Sequence, residues 1–105
     1  MILELAILNV KPAEIAAFEA AFQLAQSIIS SMPGYRGHQL QKCMEIANRY
    51  VLLVTWETLE DHTQGFRKSA AYQQWKVLLH DFYDPFPVVE HYQLVTGSKT
   101  LHLSE

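Results

Sequence analysis

The apolar positions fall into blocks of two periods. Residues 2–10 (ILELAILNV) are apolar at odd and even positions alike, broken only by Glu4 and Asn9, which reads as a short strand. Pro12 and Glu14 suit the first turn of a helix: the missing proline N–H has no intrahelical partner there, and a carboxylate meets the positive end of the dipole. Through residues 12–31, Ile15, Phe18, Phe22, Ala25 and Ile29 recur at three- and four-residue spacing as one apolar stripe, with Glu19, Gln23, Gln26 and Ser30 on the opposite one. Met32-Pro33-Gly34 ends that helix. Residues 35–45, mixed because of Arg36, His38, Gln39, Gln41 and Lys42, read as a second strand, residues 46–49 as a turn, and residues 50–57 (YVLLVTWE) as the clearest strand. Thr58 then predicts a helix cap, with Glu60 and Asp61 in the first turn and Arg67 and Lys68 in the last, while Gly65 loosens the middle. Ser69 opens a further helix to about residue 80, with Tyr72, Trp75 and Leu79 along one face. Asp84-Pro85-Phe86-Pro87 is a loop, residues 88–95 a fourth strand, and residues 96–105 a tail with Leu101 and Leu103 as packing points.

The order β-α-β-β-α-β predicts an α+β fold, the ferredoxin-like split βαβ, with helices on one face of a four-stranded antiparallel sheet. The other face of such a sheet is wetted, so its strands alternate. The first and third strands here do not. Ile2, Leu3, Leu5, Ala6, Ile7 and Leu8, and then Val51, Leu52, Leu53 and Val54, supply both faces with apolar side chains. A second copy of the sheet is the economical cover, and a homodimer joined through its sheet faces is expected. Wrapping of that face by the helices and tail is the alternative.

Composition narrows the class. A chain of 105 residues makes one domain, and half hydrophobic with 18% charged residues is a folding composition. Eleven acidic against eight basic residues, with no basic cluster, argue against a nucleic-acid partner. Cys43 stands alone, and there is neither HExxH nor a histidine pair at i, i+4, so no disulfide and no metal site is expected. Walker loop, GxGxxG and nucleophile elbow are missing as well. No run reaches the roughly 20 apolar residues that span a bilayer. The apolar start lacks a basic segment and a cleavage-type ending, so a soluble, cytoplasmic protein with no membrane partner is expected.

Several stretches carry a family pattern. YVLLVTWETLEDHTQGFRKSAAYQQW joins a strand ending in Trp-Glu to a Thr-capped helix with His62, then Phe66-Arg67-Lys68-Ser69 and Tyr72-Gln73-Gln74-Trp75. Together with LELAILNVKPAEIAAFEAAF, Met32-Pro33-Gly34-Tyr35 and FYDPFPVVEHYQLV, it resembles the antibiotic biosynthesis monooxygenase (ABM) family over residues 2–95. The resemblance implies one domain over residues 1–95, assembled as a dimeric α+β barrel with a pocket in each subunit between the sheet and the second helical region. Some members oxidise phenols or quinols with molecular oxygen, without metal or flavin. Others degrade haem, and others bind ligands. The haem-degrading branch uses a strand Asn, a helical Trp and a helical His. Asn9 lies too late in its strand, Gly65 or Phe66 falls at the Trp position and Trp75 at the His position, so that triad is not reproduced.

Oxygen is a triplet and reacts slowly with most organic molecules. An electron-rich phenolate can itself supply the electron, so the protein needs a dry aromatic pocket, a proton acceptor and an anchor for the anion. Trp56, Phe66, Tyr72, Trp75, Phe82 and Phe86 are candidate walls. His62 and His91 are candidate proton acceptors, with His62 kept neutral near the positive end of a helix, and Arg67 would hold an anionic oxygen. Each has a plainer role: strand-end packing for Trp56, stripe packing for Tyr72 and Trp75, dipole compensation for Arg67, simple exposure for His62. His80 and His102 read as surface residues, Cys43 as an inert thiol, and His38 carries no reading. The expected function is cofactor-independent monooxygenation of a small phenolic or quinol-type aromatic, with His62 and Arg67 catalytic. The alternative is a non-catalytic dimeric barrel that binds a small hydrophobic ligand or serves as a dimerising stress or regulatory module.

Overall fold

Alternation along β3 (Arg49–Trp56) organises the molecule: Tyr50, Leu52, Val54 and Trp56 are buried, and the residues between them face the other way. In this computed structural model, which describes residues 1–98, β3 is flanked by β1 (Ile2–Asn9) and β2 (Tyr35–Lys42), and β4 (Val89–Tyr92) pairs with the far side of β1. All pairings are antiparallel, in the order β2-β3-β1-β4. This is the expected ferredoxin-like topology. Leu101, Leu103 and His102 lie outside the described residues.

α1 (Ile15–Ser30) and α2 (Ala70–Leu79) pack on one face of the sheet. Phe18, Phe22, Ala25 and Ile29 of α1, the predicted stripe, join Trp75 and Leu79 of α2 and the inward residues of β1 and β3 in a single core. Burying side chains of this size stabilises by about 1.5–3 kcal/mol each. On the opposite face Leu3, Leu5, Ile7, Val51 and Leu53 remain only part-buried in the single chain, with Ile7 at 43% exposure.

Four segments differ from the sequence reading by more than one residue. Pro12–Glu14 forms a 3-10 turn ahead of α1. β2 stops at Lys42, where Cys43 N–H bonds the Arg49 carbonyl and closes the turn into β3. β4 stops at Tyr92, opposite Leu3 and one residue short of the start of β1; Leu94 and Val95 are exposed. The segment after Thr58 is wound wide: Asp61–Phe66 is a π-helical turn, closed by Arg67 N–H on the His62 carbonyl at 3.0 Å, five residues back. Both expected caps form. Thr58 Oγ1 accepts from Asp61 N–H at 3.1 Å, while the Asp61 carboxylate accepts from Thr58 N–H at 3.1 Å. Ser69 Oγ accepts from Tyr72 N–H at 3.1 Å.

Gly34 ties the end of α1 to this cap. Its φ is +82°, and a Cβ there would sit 2.2 Å from the Asp61 carboxyl carbon. Only glycine allows both the backbone turn and the approach. Gly34→Ala is therefore expected to cost roughly 2–4 kcal/mol, from the strained φ and the displaced cap together. Urea unfolding measures it; a loss below half a kcal/mol would contradict the account.

Candidate active site

The sheet register builds the site. On the helix-facing side, one row across the strands reads His38, Val54, Glu4, His91 and the next reads Leu40, Leu52, Ala6, Val89. Ala6 is the smallest side chain of its row and stands at the centre of the sheet. The space above it is a cavity of about 310 Å³. Its floor is Glu4, Ala6, Leu8, Leu52 and Val89. The π-helical turn contributes His62, Phe66 and Arg67, α2 contributes Tyr72 and Trp75, and the following segment contributes His80, Tyr83, Phe86 and Pro87.

Glu4 is the residue that the sequence reading passes over, treating it as a break in an apolar strand. It is 5% exposed. Its Oε1 accepts from Trp56 Nε1–H at 2.9 Å and lies 3.4 Å from His62 Nε2. The other ring nitrogen, His62 Nδ1, is 2.8 Å from His91 Nε2. His62 is 2% exposed and stacks on Trp56, with ring centroids 5.5 Å apart at 18°. The two nitrogens of His62 face in different directions, so Glu4, His62 and His91 form a chain and do not converge on a point as metal ligands would.

Burial sets the protonation states. It raises the Glu4 carboxyl from 4.5 to about 7, against the opposing pull of the Trp56 hydrogen bond and the Arg67 charge. It lowers His62 from 6.5 to about 3, helped by the charges of Arg67 and His91. His91 shifts down too, through burial and Arg67. Burial thus brings the Glu4 carboxyl toward neutrality and takes the His62 imidazole away from it.

The other candidates divide. Phe66, Tyr72, Trp75 and Phe86 line the cavity, with Phe66 edge-on to Tyr72 at 5.2 Å and to Trp75 at 5.7 Å. Arg67 is an exposed lining residue, and among the described residues it has no ion pair. Trp56 does not line the cavity; it backs His62 and holds Glu4. Phe82 does not line it either, because the 3-10 turn His80–Phe82 sends that ring against Phe18 at 5.7 Å. His91 stands behind His62. His62 itself is buried, so simple exposure does not describe it. His80, read as a surface residue, is a wall residue packed edge-on against Phe86 at 4.9 Å and Tyr72 at 5.8 Å. Tyr83, also missed, is a part-buried phenol whose pKa is raised by desolvation. The chain doubling back over the helix face after α2 is what encloses both, and no local pattern announces that.

The Glu4 shift is a stability statement. Its folded pKa lies above its unfolded value, so the folded state holds the extra proton between about pH 4.5 and 7, and stability falls as pH rises through that window. At about 1.4 kcal/mol per pKa unit, Glu4→Gln should match wild type near pH 4.5 and exceed it by up to roughly 3 kcal/mol above pH 8. Denaturant unfolding at both pH values reads the difference; a pH-independent gap would contradict a raised carboxyl.

Comparison with known proteins agrees with the architecture. The family model for antibiotic biosynthesis monooxygenases matches residues 1–77. YczJ of Bacillus subtilis, an uncharacterized protein, is 58% identical over 93 residues, covering 89% of this chain and 98% of its own. A Bordetella bronchiseptica structure classed with the antibiotic biosynthesis monooxygenases is 36% identical, with a TM-score of 0.86 over 90% of this chain and 97% of that one. SnoaB, a cofactor-independent oxygenase from Streptomyces nogalater, shares the fold at 22% identity, with a TM-score of 0.65 and 95% coverage of each chain. The chain belongs to the antibiotic biosynthesis monooxygenase family.

Proposed function

We propose that this chain is a cofactor-independent monooxygenase that oxidises a small phenolic or quinol-type aromatic with molecular oxygen. The observation that carries the reading is a buried carboxyl, Glu4, in the floor of an aromatic-walled cavity, with its pKa raised by burial to about 7. A carboxylate of that basicity, held beside a flat substrate, is suited to take a phenolic proton near neutral pH. His62 and Arg67 keep roles there. His62 positions the carboxyl, and Arg67 holds the anion at the mouth. The phenolate then gives one electron to oxygen, and recombination of the pair forms a C–O bond. The peroxide anion takes up a proton from the Glu4 carboxyl, and loss of water from the hydroperoxide leaves a carbonyl, with one oxygen atom in the product and the other in the water. Phe66, Tyr72, Trp75 and Phe86 sandwich the ring and exclude solvent. Family membership supports the reaction class, and a cavity that its own side chains leave open favours a ligand over the structural-module alternative.

The test is oxygen uptake across a panel of dihydroxy-aromatics and menadiol-like quinols, with autoxidation subtracted. Turnover is expected with at least one member. Glu4→Gln should lower it by roughly 10²–10⁴-fold, the usual worth of a positioned base. Ala6→Val, which narrows the cavity floor, should raise KM more than it lowers kcat. Glu45→Gln, on the exposed turn before β3, should leave both unchanged. No uptake and no quenching of Trp75 fluorescence by any compound would favour the non-catalytic reading.

The same reading includes a homodimer through the open sheet face. Leu3, Leu5, Ile7, Val51 and Leu53 form a contiguous apolar surface on adjacent strands, of the kind that soluble monomers seldom leave in water. Sedimentation should give twice the 12.1 kDa chain mass, and Leu53→Lys should shift it toward one chain without unfolding. A wild-type mass of one chain would exclude the dimer.

A further inference from the structure

The cavity accounts for one end of the Glu4–His62–His91 chain, but a base buried under a substrate also has to lose its proton. β4 is an edge strand, and the register sets His91 directly opposite Glu4 on the same face. Side chains so paired stand about 5 Å apart at Cβ. His62 comes down from the π-helical turn and meets both, Nε2 toward Glu4 at 3.4 Å and Nδ1 toward His91 at 2.8 Å. Glu4 and His62 are buried, while His91 is part-exposed at the sheet edge. Trp56 fixes the inner end from two sides, bonding Glu4 and stacking under His62.

A neutral imidazole carries one N–H, so the line has two arrangements. With Glu4 ionised, His62 Nε2–H points to the carboxylate and its Nδ1 accepts from His91 Nε2–H. With Glu4 protonated, the carboxyl donates to His62 Nε2, His62 Nδ1–H donates to His91 Nε2, and the His91 proton moves to Nδ1. We propose that Glu4, His62 and His91 are a one-proton relay, in which protonation of the carboxyl reverses the tautomers of both imidazoles and connects the cavity with solvent at the β4 edge. This rests on the monooxygenase reading for its use in turnover, but the relay is a property of the resting protein.

The proton balance is closed. A proton taken from substrate by the carboxylate is passed to His62 Nε2 as His62 Nδ1–H passes to His91 Nε2 and His91 Nδ1–H leaves to water. The carboxylate is regenerated with both imidazoles in the Nε2–H form; the reverse hop then carries a proton in from water, the carboxyl gives it to the peroxide, and the Nδ1–H form is restored. The charged and titratable groups facing the line are Glu4 from β1, His91 from β4, and His62 and Arg67 from the π-helical turn. Trp56 from β3 offers an uncharged donor, and Tyr72, His80 and Tyr83 face the cavity from α2 and the segment after it. Arg67 lowers the proton affinity of all three relay members, which favours release over storage.

The decisive measurement needs no substrate. In 15N-histidine-labelled wild-type protein, Nδ1 and Nε2 of His62 should exchange protonated-type for unprotonated-type signals between pH 5 and 9. His91 should change with the same midpoint, and both changes should vanish in Glu4→Gln. Fixed tautomers in wild type across that range would overturn the relay whether or not the variant folds, and so would an identical change in Glu4→Gln. Where the oxidation panel yields a substrate, His91→Ala should slow turnover roughly tenfold in weak buffer, with recovery on adding free imidazole. A slow variant indifferent to imidazole would confine His91 to a structural part and overturn the solvent connection. A panel without turnover would sink the monooxygenase reading alone, since the tautomer titration stands apart from it.

Discussion

A carboxyl group sits where the sheet leaves it almost no water, and a single indole N–H is its firm partner. The Trp56–Glu4 hydrogen bond spans 52 residues of sequence and joins neighbouring strands. Burying a carboxylate without partners costs several kcal/mol, so such a group either neutralises or recruits donors. Glu4 does some of each. Trp56 supplies one donor and Arg67 a field, and together they fall short of offsetting the burial. What remains is an acid poised near neutrality in a place where hydrocarbon would have packed better.

The surroundings arrange themselves about that group. Period-two alternation turns Glu4 and Ala6 to the same face, so the acid lies beside the one place where the sheet surface drops away. The π-helical turn sets His62 and Phe66 four residues apart on its inner side, one for the carboxyl and one for the cavity wall, and leaves Arg67 outside. Gly34 lets the end of α1 approach Asp61, which caps that turn, so the position of His62 is fastened to two elements beyond its own. The aromatic rings that close the cavity also belong to the core. Trp75 meets Phe22 of α1 at 5.9 Å and Phe66 at 5.7 Å. Packing and ligand lining are two uses of the same side chains.

The fold was legible because its signals are repetitive: the stripe of α1, the two caps at Thr58 and Ser69, and the turn residues each mark an element independently. The site was legible only in part. His62, Phe66, Arg67, Tyr72 and Trp75 lie within one stretch whose spacing places them together. Glu4 was visible as an odd carboxylate in an apolar strand, but with both parities apolar nothing in the pattern told which face it took. His80 and Phe82 exchanged their expected surroundings because a 3-10 turn after α2 rotates the chain relative to an α-helical continuation. The polar ring went to the cavity and the apolar one to Phe18. Long-range partners such as Trp56 for Glu4 and His91 for His62 are set by register, which depends on pairings across the whole sheet.

That dependence on register has an evolutionary edge. Inward and outward residues of β1 differ in kind: Glu4, Ala6 and Leu8 against Leu3, Leu5 and Ile7. Inserting or deleting a single residue ahead of Glu4 while the pairing with β3 holds would turn the carboxyl onto the open apolar face and drive Leu5 or Ile7 into the space above Leu52. Few point substitutions do both at once. Drift in β1 is therefore restricted to exchanges of side chain at constant length, whereas the exposed residues 44–47 of the turn before β3 line no part of the cavity and escape that restriction.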